Sequence, residues 1–257
     1  MTRTSALCCG ILLTGSWARA VTLQEAVAEA KSLVGRFRTS APRTIAFSGR
    51  RWTVKASAEP AGPGPNLFSD DEKNVWVDDR GRLHLRITRD GGGWRCAEVV
   101  SRESLGYGTY TFTLEGRGAD LDPNVVLGLF TYDAAKDADP AAFNREIDIE
   151  LSRWGAAGGH DAQFVVQPAD DPGAKRRFDG PRGAEPSTQR FVWRRGAVDF
   201  ESWSGGRSLA RWTSTRRVPE PGGENVRINL WLYGGAPPSD MNETEVVVTG
   251  FKFSPGR

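Results

Sequence analysis

The chain has 257 residues, with 34 Lys and Arg against 32 Asp and Glu for a formal net charge of +2. Gly 30 and Pro 15 without a Gly-X-Y period exclude collagen and a helical bundle, while 39% hydrophobic and 10% aromatic residues exclude wholesale disorder. No apolar run approaches the ~18 residues of a membrane span, and the arginine pairs Arg176-Arg177, Arg194-Arg195 and Arg216-Arg217 are scattered over loops or strand ends, forming no basic stripe for nucleic acid.

Residues 1–20, MTRTSALCCGILLTGSWARA, carry Arg3, a short apolar stretch from Ala6 to Leu13 and the small-x-small end Ala18-Arg19-Ala20. This is the pattern of a secretory signal peptide, so a secreted or periplasmic location is expected. Its cleavage removes Cys8 and Cys9 and leaves Cys96 with no partner for an internal disulfide. A lone thiol in such a chain is expected to be a buried small hydrophobe. Thr22-Leu-Gln-Glu25 has capping-box spacing, and Leu23, Val27, Ala30, Leu33 and Val34 follow at helical spacing. The reading is a helix over 22–35 within a lead-in over 21–43, then a single domain over 44–257.

From about residue 44 the period changes to two. Strands are expected at 74–77, 83–88, 97–102, 107–115, 125–132, 146–151, 162–167, 190–193, 198–203, 226–233 and 245–253. Turn residues such as Asp78-Asp79-Arg80-Gly81 and Gly91-Gly92-Gly93 separate them. Short strands at regular spacing predict an all-β fold, a two-sheet antiparallel sandwich or jelly roll. Trp52, Trp193 and Trp203 are expected in its core, and His84 on a solvated strand face.

The segment Asn144-Arg-Glu-Ile-Asp-Ile-Glu-Leu151 is the most informative. Strand alternation puts Glu146, Asp148 and Glu150 on one face and Ile147, Ile149 and Leu151 on the other. The apolar face belongs against a second sheet, and the acidic face must meet water or a cleft, because three unpaired carboxylates cannot be buried. Three readings fit these residues: a catalytic pair with an assistant, a solvated strand face, or a calcium-type oxygen site. Geometry suits the first. The α-carbons of Glu146 and Glu150 are ~13 Å apart along a strand. Side chains leaning together bring the carboxyls to roughly 5–6 Å, near the separation used for double displacement at a sugar. Asp148, central and shorter, can hydrogen-bond one partner and keep one member of the set protonated.

The same segment resembles the E-[IL]-D-x-E signature of glycoside hydrolase family 16, which includes lichenases, laminarinases and xyloglucan-modifying enzymes. Other blocks resemble the family in the same order. They are Leu105-Gly-Tyr-Gly-Thr-Tyr110 (family Y-G-Y-G-x-Y), Val125 to Tyr132, Ala162 to Val165, Ile228-Asn-Leu-Trp231 (family M-N-L-W) and Phe251-Lys-Phe253. The resemblance implies a concanavalin A-like jelly roll with a polysaccharide groove, Glu146 as nucleophile, Glu150 as general acid/base and Asp148 as the assisting carboxylate. It implies a retaining endo-acting hydrolase with β-glucan favoured over galactan. A transglycosylase on the same site and a non-catalytic lectin-like sandwich are the alternatives.

Face parity nominates groove residues independently of the resemblance. Asn74 and Trp76 share a face, as do Gln163 and Gln167, and Asn229 and Trp231; Glu98 faces away from Ala97 and Val99. Such amides, carboxylates and indoles suit the hydroxyl edges and C–H faces of sugars. Trp154, just after the acidic strand, is either a platform or a cap on the sandwich edge. No cofactor is expected; loop residues such as Asp70-Asp71 could offer oxygens to a structural calcium ion, without a specific motif. The expected partner is the polysaccharide alone, with the chain a monomer.

Overall fold

Alternating apolar and polar residues over Thr44–Pro255 pair into two antiparallel sheets whose apolar faces meet. The computed structural model describes residues 41–116, 120–137 and 143–256. The expected signal peptide and the helix over 22–35 lie outside the described residues. The first strands are β1 (Thr44–Phe47), β2 (Arg50–Val54), β3 (Val75–Val77), β4 (Leu83–Asp90), β5 (Gly93–Arg95) and β6 (Ala97–Ser101). Then follow β7 (Gly108–Leu114), β8 (Val125–Tyr132), β9 (Ile147–Leu151), β10 (Ala162–Val166) and β11 (Lys175–Phe178). The last are β12 (Ser187–Arg194), β13 (Ala197–Ser204), β14 (Arg207–Ser214), β15 (Asn225–Leu232) and β16 (Thr244–Pro255).

One sheet runs β1-β2-β6-β15-β8-β9-β10-β11, and the other β14-β13-β12-β7-β16-β4-β3 with β5 paired to β4. Neighbours in sequence are mostly hairpins, but β15 inserts between β6 and β8 and β16 between β4 and β7. The chain's last strands thus sit inside both sheets, and folding must wait for contacts distant in sequence. The strand carrying the acids, β9, is flanked by β8 and β10, so both its edges are hydrogen-bonded.

The core between the sheets is apolar by alternation. Leu127, Leu129, Ile147, Ile149, Leu151, Phe164, Ile228 and Leu230 face Leu85, Phe112, Phe191, Phe200 and Val248, all buried in one cluster. Trp52 and Trp193 are fully buried, as expected. Trp203 is not in the core: it lies half-buried on the outer face beneath the Arg190 guanidinium, 4.9 Å from its ring. Its neighbours Ser202 and Ser204 point inward, so here parity, not hydrophobicity, set the side. His84 also departs from expectation. It is buried, stacked on Trp76 at 4.4 Å, with Nδ1 2.7 Å from Glu245 Oε1. Cys96 is a buried free thiol, and desolvation pushes its pKa up to about 12, which removes it as a nucleophile.

Five strands escaped the sequence reading: β1, β2, β5, β11 and β14. The first two precede the expected strands, and β5 falls where Gly91-Gly92-Gly93 signalled only a turn. The last two, KRRF and RSLARWTS, are the outermost strands at one side of the sandwich. Edge strands meet water on a flank and a face and tolerate charge, so they lack the apolar alternation that reveals inner strands.

Candidate active site

Residues paired across an antiparallel sheet point to the same face, so strand register fixes which side chains share the outer surface of the first sheet. Two rows cross it at the acidic strand. In one, Lys175, Val165, Asp148, Phe130, Arg227 and Val100 succeed one another from β11 to β6. In the other, Arg177, Gln163, Glu150, Gly128, Asn229 and Glu98 do so. Glu146 precedes β9 by one residue and lies alongside Gln167, whose backbone N–H donates to the Glu146 carbonyl at 3.2 Å. All three acids line one cavity of about 360 Å³, together with Glu98, Phe130, Arg227, Asn229 and Trp231. Two adjoining depressions continue it. One shares Glu146 and adds Gln167 and Phe143; the other shares Lys55, Glu98 and Arg227 and runs toward Thr53 and Val100.

The acids are sunk deeper than the sequence suggested. Asp148 is buried, and Glu146 and Glu150 are only partly exposed. What makes this tolerable is protonation and amide donors, not open water. Burial, then the charges of Glu146 and Glu150, raise Asp148 well above the ordinary aspartate range. Its hydrogen bond to Glu146 therefore has Asp148 as the donor. Burial, then the Glu150 charge, push Glu146 up to about 7, against the hydrogen bond from Asp148 and the Arg227 charge. Glu150 is raised by burial and held down by the Gln163 amide and by the charges of Arg177 and Lys175. Gln163 Nε2 donates to Glu150 Oε2, and Gln167 Nε2 donates to Asp148 Oδ2 at 2.9 Å. Glu98, fully buried, is neutralised by Lys55 at 2.9 Å and Arg227 at 3.1 Å.

A strained turn delivers Glu146. Phe143, Asn144 and Arg145 have φ of 43°, 53° and 50°, three consecutive left-handed residues without a glycine. Each costs about 1–2 kcal/mol in that conformation. Asp133 holds the turn: its N–H donates to Asn144 O at 2.6 Å, its carbonyl accepts from Asn144 Nδ2 at 3.1 Å, and its carboxylate receives Arg145 Nη1 at 2.5 Å. Thr131 Oγ1 adds a bond to the Arg145 carbonyl at 2.9 Å. Asp133→Asn weakens the grip on Arg145 and lets the turn relax. The expected result is a roughly 10- to 100-fold drop in kcat with KM little changed, read by steady-state kinetics on whichever polysaccharide is turned over. An unchanged kcat would show that the turn does not aim Glu146.

No protein-family model matches the sequence, and no curated protein matches it. Solved structures do match in fold. A β-glucanase of Bacillus licheniformis aligns at TM-score 0.62 and 18% identity, over 86% of this chain and 100% of that one. A β-1,3-1,4-glucanase (lichenase) from a mouse hindgut metagenome aligns at 0.61 and 20%, over 84% and 100%. An immunostimulatory antigen and pseudo β-1,3-glucanase of Mycobacterium tuberculosis aligns at 0.60 and 20%, over 80% and 91%. The fold is the glucanase jelly roll. Since one bearer of it is a pseudo-glucanase, the fold alone does not decide turnover, and the chemistry of the site must be read from this chain's own residues.

On this glucanase jelly roll the nominated residues divide into three groups. Glu146, Asp148, Glu150, Glu98, Asn229 and Trp231 come together in one cavity, with Gln163 and Gln167 as donors to two of the acids. Trp154 stands apart at the β11 side, with Arg177 stacked 4.3 Å over its ring. Asn74 and Trp76 are corrections: they belong to the other sheet. Asn74 is fully buried, its amide donating to Arg86 O and Thr88 Oγ1, and Trp76 stacks on His84. Alternation told which residues share a face, but not which sheet β3 would join. Parity could have found residues that were missed. Gly128, Phe130 and Tyr132 alternate in β8, and Arg227 is two before Asn229. Lys55, past the end of β2, had no such signal.

Among the described residues no group of three or more His, Cys, Asp or Glu side chains is placed to hold a metal ion, and no helix is long and apolar enough to cross a membrane.

Proposed function

We propose that this chain is a retaining, endo-acting glycoside hydrolase of the family 16 type, with a β-glucan as substrate. The observation that carries the reading is the trio of acids on β9 and at its entry. Three carboxyls open together into one cavity; burial raises all three, and the charges of neighbouring acids raise Glu146 and Asp148 further. A binding module gains nothing from holding three desolvated acids against one another, whereas acid and nucleophilic catalysis need groups whose proton affinity lies near the working pH. The adjoining depressions on either side of the cavity suit a chain that passes through rather than ends there.

In the first step Glu150 gives its proton to the leaving glycosidic oxygen while Glu146 attacks the anomeric carbon, forming a glycosyl ester as the C–O bond breaks. Protonated Asp148, donating to Glu146, orients that carboxylate and keeps a second negative charge out of the site. In the second step Glu150, now ionised, takes a proton from water. The water oxygen bonds to the anomeric carbon, and Glu146 leaves with configuration retained. Asn229 and Trp231 line the same cavity as contacts for hydroxyls and a ring face.

The test is reducing-sugar release from barley glucan, laminarin, xyloglucan, agarose and carrageenan, with the product anomer followed by NMR. Retained configuration on a β-glucan is expected, and first-formed inverted product would refute the double displacement. Glu150→Gln should slow polysaccharide cleavage by roughly 10²- to 10⁴-fold, and aryl glycosides with good leaving groups much less. Equal slowing of both would remove Glu150 from the acid role. The pseudo-glucanase on this fold keeps a second reading open, recognition without cleavage; tight glucan binding with no release from any substrate would favour it.

A further inference from the structure

We infer that the groove takes an anionic polysaccharide, with a carboxylate or sulfate substituent bound by Lys175 and Arg177 next to the reacting sugar. The inference rests on the reading of this groove as a polysaccharide site, and deepens it by naming the substrate's charge.

Register carries the argument. Arg177 pairs with Gln163, which pairs with Glu150, and Lys175 pairs with Val165, which pairs with Asp148. Both cations are therefore on the face that bears the acids, two strands away, about 10 Å at ordinary strand spacing. That is the reach of the neighbouring sugars in a chain laid across the strands. Their charges are felt at Glu150, whose pKa both lower.

These two cations differ from the others around the trio. Lys55 and Arg227 are consumed by buried Glu98. At the β11 side Asp171 is paired with Arg217 and Asp179 with His160. Lys175 and Arg177 have no carboxylate partner within ion-pair distance among the described residues, and both are exposed. Arg177 is also preorganised. Its guanidinium lies 4.3 Å over the Trp154 ring, which fixes the plane and leaves the donor edge free for a planar, bidentate anion.

The experiment uses binding, so that it can fail separately from the hydrolase reading. Calorimetry on the full chain carrying Glu146→Gln compares neutral barley glucan, carboxymethylated β-glucan and sulfated β-glucan. At least one anionic polymer is expected to bind roughly tenfold tighter than the neutral one, with affinity falling as salt rises. The two anionic arms distinguish carboxylate from sulfate. Adding Lys175→Gln and Arg177→Gln should bring the anionic-to-neutral ratio to within about twofold of unity. Arg177→Lys, keeping charge but losing the fork, separates planar recognition from charge alone. Equal binding of all three polymers, or a preference that survives the double substitution, overturns the inference. Absence of cleavage by the unsubstituted chain, with the preference intact, would count against hydrolysis only.

Discussion

Glu146→Gln lowers turnover by roughly 10⁴-fold or more, the scale seen when a nucleophile is removed from an assembled site, and it also makes the folded chain more stable at neutral pH. The two effects share a cause. Glu146 titrates near 7 in the folded chain against an ordinary value of 4.5. Between those two values the folded state holds a proton that the unfolded state has lost, so wild-type stability falls as pH rises through this window. Below it the group is protonated in both states, and the charge costs nothing. Glutamine never ionises. The variant's advantage should therefore be near zero below pH 4.5 and grow to its full size above pH 7, up to about 3 kcal/mol. Thermal melts of both proteins at pH 4 and pH 8 read this directly. A variant with near-normal rates would end the proposed mechanism, and a Tm gain equal at both pH values would end the account of the buried charge.

Gly128→Ala is the second large effect. Gly128 stands between Glu150 and Asn229 in one cross-strand row. A Cβ there would lie 2.4 Å from Asn229 Oδ1, and Asn229 is almost fully buried, so its amide cannot swing away freely. Displacing it moves a groove wall at the catalytic row. A loss of roughly 10²-fold in kcat/KM is expected, with a stability loss of about 1–3 kcal/mol from overpacking. Adding Asn229→Ala should recover most of the stability while leaving activity low, because the clash is gone but so is the amide. Wild-type kinetics in Gly128→Ala would mean that substrate does not pass over this row. The strict absence of a side chain here thus has a testable purpose.

Most of the inner strands were legible because each has one face in the core and one face out. In β9, IDIEL encodes both the packing of Ile147, Ile149 and Leu151 and the gathering of the acids. The same rule failed at the edges, where KRRF of β11 has one buried residue in four. That failure hid the two cations on which substrate charge is argued to depend. It also failed for Asn74 and Trp76, since parity is a relation within a strand and says nothing about the sheet that strand enters.

Period-two patterning by itself determined an all-β sandwich, the chain positions of most of its inner strands, and the shared face of Glu146, Asp148 and Glu150. These follow from local stereochemistry, because successive side chains of an extended chain must alternate. Only the tertiary structure decided what those acids meet. The insertion of β15 beside β8 brought Arg227 and Asn229 to the trio. The pairing of β10 with β9 brought the amides of Gln163 and Gln167. Their depth, and with it their raised proton affinity, depends on neighbours dozens of residues away in the chain. Desolvation is a property of the assembled surroundings, and no local pattern records it.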